Sequence, residues 1–164
     1  MMKKIVFSAV LLAIVAWSGA AAAEEMRIQD YVFTWHVAKV GSVSIRVEKT
    51  QEHLWIIVGS PGGKIASVAL TPSQAKVIGE ILVQTQDYYD RLMKNKRKEV
   101  KEVVPAGDYR VTFSKEGRDF EVKIDRPKAF SSAVLLFENQ APEVGEWLLK
   151  SEAMAELTNR KVNP

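Results

Sequence analysis

The chain has 164 residues, of which 47% are hydrophobic and 26% charged, with a formal net charge of +3. This is the composition of a globular protein of one domain or two small ones. It has no cysteine and only two histidines, His36 and His53, which excludes disulfides, thiolate metal sites, iron–sulfur clusters, cysteine nucleophiles and a multi-histidine metal centre.

Residues 1–23 read as an export signal. Lys3 and Lys4 form a positive start, Ile5 to Trp17 are almost wholly apolar, and Ala21 and Ala23 supply the small residues that a signal peptidase accepts. Cleavage is expected before Glu24, giving a periplasmic or secreted product. The alternative is an uncleaved anchor, the one case in which a membrane becomes a partner. Cleavage removes two lysines and no acid, leaving 21 basic and 20 acidic residues and a net charge of +1.

The remainder repeats itself. Shifted by 66 residues and without a gap, positions 41–93 show ten identities in 53 pairs, against roughly three expected by chance. Gly41 falls on Gly107, Lys49 on Lys115, Pro61 on Pro127, Val68 on Val134 and Leu70 on Leu136; Gln74, Ala75, Gly79, Glu80 and Leu82 fall on Gln140, Ala141, Gly145, Glu146 and Leu148. The expected organisation is therefore a signal peptide over 1–23, a first repeat over 24–98 and a second over 99–164.

Each repeat predicts four strands and a helix. The first strand is expected near 31–38 and its counterpart near 99–104. The second covers 42–50 and 108–115, where Val43, Ile45 and Val47 alternate with polar residues, as do Tyr109, Val111 and Phe113. The third covers 53–59 and 119–125, with turns at 50–52 and 116–118. Breaks at Ser60-Pro61-Gly62-Gly63 and Arg126-Pro127-Lys128 precede a fourth strand over 65–70 and 130–136. Thr71-Pro72-Ser73-Gln74 is a helix start, with threonine as cap, proline at the first helical position and glutamine completing a capping box. Ala75, Ile78, Leu82, Tyr89 and Leu92 continue that helix, and the second runs from about Asn139 to Arg160. The fold class is α+β: two tandem ββββα repeats packed as one pseudo-twofold domain of antiparallel sheets and two helices. Gly79 and Gly145 sit at the same place in both helices, where each costs about 1 kcal/mol against alanine. Either the helices cross there, or each lies close on a sheet.

Catalytic constellations are sparse. Gly59 to Lys64 lacks the spacing and the hydroxyl residue of a phosphate-binding loop, and Ser60 is not in a nucleophile-elbow frame. His36 and His53 lie on different strands, so no metal is expected, and no cofactor. Glu80 and Glu146 are equivalent carboxylates that could do acid–base work across the axis, or stand as surface glutamates. No enzyme activity is expected.

Two features point to binding. Tyr31, Phe33 and Trp35 share one face of the first strand, and Trp55 with Ile57 lies opposite Leu54, Ile56 and Val58. Such aromatics mark a contact surface or a stacking platform; in the plain packing alternative the first strand simply covers Trp55. Lys94, Lys96, Arg97 and Lys98 form a cationic junction between the repeats, suited to phosphates or anionic lipid, or merely to a helix C-terminus.

The ββββα order, the run Val68-Ala69-Leu70-Thr71-Pro72-Ser73-Gln74 and the duplication resemble the single-stranded nucleic-acid-binding coactivators of the positive cofactor four family and their Whirly and PUR-repeat relatives. That resemblance implies curved antiparallel sheets paired through their helices, and a binding sheet rather than a catalytic pocket. With the export signal and a near-neutral mature charge, the expected function is an exported, non-catalytic binding or scaffold protein acting through its sheet faces on a protein or envelope component, with homo-oligomerisation open. The alternative is a single-stranded DNA or RNA binder.

Overall fold

Alternation within each half of the chain builds one four-stranded antiparallel meander. In a computed structural model describing residues 31–59, 67–127 and 133–162, the first half forms β1 (Phe33–Val40), β2 (Val43–Lys49), β3 (Leu54–Gly59) and β4 (Ser67–Leu70), then α1 (Pro72–Leu82) and α2 (Thr85–Lys94). The second half forms β5 (Glu99–Ala106), β6 (Tyr109–Glu116), β7 (Asp119–Asp125) and β8 (Ala133–Phe137), then α3 (Ala141–Leu149) and α4 (Ser151–Val162). Strand order is β1-β2-β3-β4 in one sheet and β5-β6-β7-β8 in the other. The fold is α+β and duplicated. The expected export signal, the Ser60–Gly63 break and Lys128 lie outside the described residues.

The 66-residue offset holds in three dimensions: β5 begins and ends 66 residues after β1. The β1–β2 and β5–β6 turns place Gly41 at φ 57° and Gly107 at φ 64°. Only a residue without a Cβ adopts that conformation freely, so the same glycine recurs in both tight hairpins.

Each sheet has an inner and an outer face. Ile45, Val47, Ile56, Val58 and Leu70 of the first sheet, and Val111, Phe113, Val122 and Ile124 of the second, are fully buried. They pack with Ala75, Ile78 and Leu82 of α1 and Ala141, Val144 and Leu148 of α3 in one shared core.

The helix start at Thr71 forms as its residues dictate. The Thr71 hydroxyl accepts from the Gln74 N–H at 3.2 Å, and the Thr71 N–H donates to Gln74 Oε1 at 3.0 Å. In the second repeat Phe137 replaces Thr71, and half of the arrangement survives: the Phe137 N–H donates to Gln140 Oε1 at 3.2 Å. Replacing Thr71 by alanine is expected to cost about 1 kcal/mol, the usual effect of losing an N-cap. Urea denaturation should show a lower midpoint with an unchanged slope.

Each repeat ends in two helices, not the one long helix that the periodicity predicts. The breaks fall at Val83–Gln84 and Lys150, equivalent places in the two copies. Neither break contains glycine or proline. A buried hydroxyl follows each instead: Thr85 Oγ1 donates to the Leu82 carbonyl at 2.6 Å, and Ser151 Oγ donates to the Pro72 carbonyl at 2.7 Å. The first bond takes up a carbonyl that the end of α1 would otherwise leave unpaired, and the second ties the start of α4 to the first turn of α1.

The break lets the second helix of each repeat leave its own sheet. The α2 helix packs against β6, and α4 packs against β2. The Tyr88 ring of α2 stacks on Phe113 of β6 at 3.8 Å and 4°, and Tyr89 meets Phe120 edge-on at 5.2 Å. Arg91 pairs with Glu102 at 2.6 Å. Lys115 Nζ donates to the Asn95 carbonyl at 2.6 Å, placing a cation at the end of α2 where the helix dipole favours it. The two repeats have thus exchanged their terminal helices.

Between the sheets, α1 and α3 cross at the two helix glycines. A Cβ built on Gly79 would lie 2.9 Å from the Gly145 carbonyl oxygen and 2.9 Å from the Leu149 nitrogen; one on Gly145 would lie 2.9 Å from Leu82 Cβ and 2.9 Å from the Val83 nitrogen. Of the two arrangements open in the sequence, helix against helix is the one observed.

Candidate binding faces of the two sheets

Strand register decides what each candidate side chain shares a face with. Trp35 stands opposite Val47, and Phe33 opposite Lys49, which puts both on the inner face. Trp35 is half-buried against the core, while Phe33, at the sheet's end, is 40% exposed. Tyr31 precedes β1 and lies beside Thr50, Gln51 and Glu52 of the β2–β3 turn. Trp55 stands opposite Glu48 on the outer face, with the His53 ring 5.8 Å away. The stripe and Trp55 therefore do not form one patch. Nor does the first strand cover Trp55: β1 is an edge strand, separated from β3 by β2.

The outer face of the first sheet is amphipathic. One row runs Thr34, Glu48, Trp55, and the next runs His36, Arg46, Ile57, Ala69. Arg46 Nε donates to Glu48 Oε1 at 2.7 Å. His36 and His53 are both exposed, as are Glu80 and Glu146. Among the described residues no three histidine, aspartate or glutamate side chains converge in a way that could hold a metal.

Lys94 ends α2, and Lys96, Arg97 and Lys98 follow it, all four exposed. The backbone of this junction is ordered by its own bonds. The Arg97 N–H donates to Asn95 Oδ1 at 3.0 Å, and the Gly117 N–H to the Lys98 carbonyl at 2.9 Å. The cationic side chains stand in solvent at one end of the second sheet.

The outer face of that sheet carries a feature that sequence reasoning passed over. Its rows are Lys101, Ser114, Glu121, Phe137 and Val103, Thr112, Lys123, Leu135. Leu135 is 56% and Phe137 66% exposed. The signal lay in Ala133–Phe137, five apolar residues in a strand with only one buried face. The matching residues of the first repeat, Ser67, Ala69 and Thr71, are small or polar. An open hollow of about 570 Å³ on this sheet is lined by Glu99, Lys101, Ser114, Glu116, Asp119 and Glu121 among others. The charges in it are mixed, with acids in excess.

The two sheets also meet edge to edge. Tyr109, at the start of β6 and 7% exposed, donates its hydroxyl to the Ala69 carbonyl of β4 at 2.6 Å. Burial holds this phenol above its ordinary value, with Arg126 pulling it down and Asp108 pushing it up. A raised folded-state value stabilises the native protein fully below the unfolded value of about 10, and that contribution fades as pH rises through the folded value. Tyr109→Phe is expected to cost about 1 kcal/mol at neutral pH through the lost hydrogen bond. The gap between the two proteins should narrow at alkaline pH, read by thermal denaturation across pH 7 to about 11.

No protein-family model matches this chain, and no curated protein matches it.

Proposed function

We propose that the mature chain is an exported binding or scaffold protein that acts through its sheet faces on a protein or envelope component. The observation that carries this reading is the outer margin of the second sheet, where Leu135 and Phe137 are exposed beside Glu121 and Lys123. Apolar side chains within a charged rim are the make-up of a protein contact surface. Export rests on Lys3-Lys4, the short apolar run and the small residues before Glu24; mass spectrometry of protein from the native host should find Glu24 at the N-terminus.

A second reading, a Whirly-like single-stranded nucleic-acid binder, draws on the exposure of Lys94, Lys96, Arg97 and Lys98. Oligonucleotide titration at several salt concentrations separates the two. The proposed function expects no saturable binding below about 10 µM at physiological salt. Submicromolar affinity that weakens steeply with salt, and is lost when the four cations become glutamine, overturns it in favour of the second.

A further inference from the structure

The strands β1 and β5 hold the same place in the two repeats, each at the edge of its sheet, while the other two edge strands, β4 and β8, lie against each other. An edge strand presents unpaired N–H and C=O groups to any extended chain, and charged residues or proline commonly blunt it. The β5 edge is blunted in this way by Glu99, Lys101, Glu102 and Pro105. At the offset of 66, β1 has Phe33, Trp35, His36 and Lys39 in their places. From Tyr31 to Ala38 there is no aspartate, glutamate, lysine or arginine. Among the described residues no strand pairs with the outer edge of β1.

The side chains along that edge are uncovered. Val32 is 65% and Phe33 40% exposed, and Thr34 and His36 are exposed as well. Phe33 and Trp35 stand on the inner face, opposite Lys49 and Val47, and Thr34 and His36 on the outer face, opposite Glu48 and Arg46. A register irregularity between His36 and Ala38 ends the regular stretch.

We propose that β1 pairs with β1 of a second copy of this chain, antiparallel about a twofold axis at Thr34, joining two four-stranded sheets into one of eight strands. The strand is complementary to itself in this register. Residues directly opposite in an antiparallel pair share a face. On the inner face Phe33 meets the partner's Trp35, and Trp35 the partner's Phe33. On the outer face Thr34 meets the partner's Thr34, and Val32 the partner's His36. Aromatic pairs and threonine pairs are favourable cross-strand neighbours. A twofold axis sets every charge near it against its own copy, so a central stretch without charge suits a second copy. The contact is isologous and closes on itself, giving a dimer rather than a filament. It stands independently of the export reading and of the contact proposed for Leu135 and Phe137.

Sedimentation velocity on the purified protein, from about 5 µM to about 1 mM, should show a monomer–dimer equilibrium with a dissociation constant of about 50–500 µM, as suits a small contact. Thr34→Lys and Thr34→Glu, at an exposed position, should each weaken dimerisation at least about tenfold, and mixing the two should restore it as a heterodimer, because opposite charges then face each other across the axis. A cysteine supplies a second route should either charged variant fold poorly, since the chain has none of its own. Opposite residues of an antiparallel pair lie about 4.5–5.5 Å apart at Cα, within disulfide reach. Under mild oxidation Thr34→Cys should therefore form a covalent dimer at least about tenfold faster than Lys101→Cys on the blunted β5 edge. A protein that stays monomeric to about 1 mM, or equal cross-linking of the two cysteine variants, overturns the proposal. So does a dimer that survives Thr34→Lys but is lost when Leu135 and Phe137 become serine, which assigns self-association to the second sheet instead.

Discussion

Gly79→Ala and Gly145→Ala are each expected to destabilise the protein by about 1–3 kcal/mol, although alanine is the better helix former by about 1 kcal/mol. The reason is the crossing of α1 and α3. An added Cβ at either position would lie 2.9 Å from backbone atoms of the opposite helix, and backbone cannot swing aside as the end of a flexible side chain can. The helices must separate or tilt, and the inner faces of both sheets pack on the same pair of helices. Leucine at either position should cost more than alanine. The double variant should be less damaging than the sum of the two singles, because helices already parted by one methyl group make room for the second. Thermal denaturation reads the effect as a loss of about 3–5 °C for each kcal/mol. A rise in melting temperature for both alanine variants would mean that the glycines face open space and that the crossing is wrong.

Phe113→Ala is expected to cost about 3–5 kcal/mol, the range for truncating a buried aromatic side chain. Phe113 is fully buried, stacks on Tyr88 at 3.8 Å and lies 6.4 Å from Phe120. Its place in the exchange of helices makes the site informative. Phe113 belongs to the second repeat, but Tyr88 belongs to the first. Removing the ring frees α2 from β6, and with it the connection that carries the first repeat across. Urea denaturation should show a markedly lower midpoint. A normal slope would indicate that the whole molecule still unfolds as one unit, and a reduced slope that α2 had already detached.

Much of the fold was legible because two independent signals agreed. Alternation placed Ile45, Ile56, Val111 and Phe113 on buried faces, and the gap-free offset required both halves to adopt the same sequence of strands. The paired glycines also announced a close approach, though not what approached them. The exchange of α2 and α4 was not legible. Periodicity defines an apolar stripe on a helix but not which of two similar sheets the stripe covers. The breaks at Val83–Gln84 and Lys150 were hidden for a related reason: they arise where a helix must change direction to reach the other sheet, with no glycine or proline to mark them; Thr85 satisfies the Leu82 carbonyl at the first, and at the second Ser151 ties the start of α4 to Pro72 of α1.

The candidate faces were legible residue by residue but not as groups. Trp55 was correctly set opposite Leu54 in the alternation, yet whether it joined Phe33 and Trp35 depended on how β1 and β3 register on β2, and register is a tertiary property. Leu135 and Phe137 were readable only as part of a buried-looking apolar run. Their exposure follows from β8 having one covered face. The hydrogen bond from Tyr109 to the Ala69 carbonyl depends on the two sheets meeting, which neither repeat reveals by itself.

The exchanged helices and the glycine crossing are expected to bind the two repeats into one cooperative unit. Native-state hydrogen exchange measures this most directly, applied to β2 and β3 in one sheet and β6 and β7 in the other, with and without Phe113→Ala. One unit predicts that the slowest amides of both sheets open with the same free energy and that the substitution lowers both by the same amount. Loss of protection confined to β6 and β7, with β2 and β3 unchanged, would show two independently stable repeats and contradict the account.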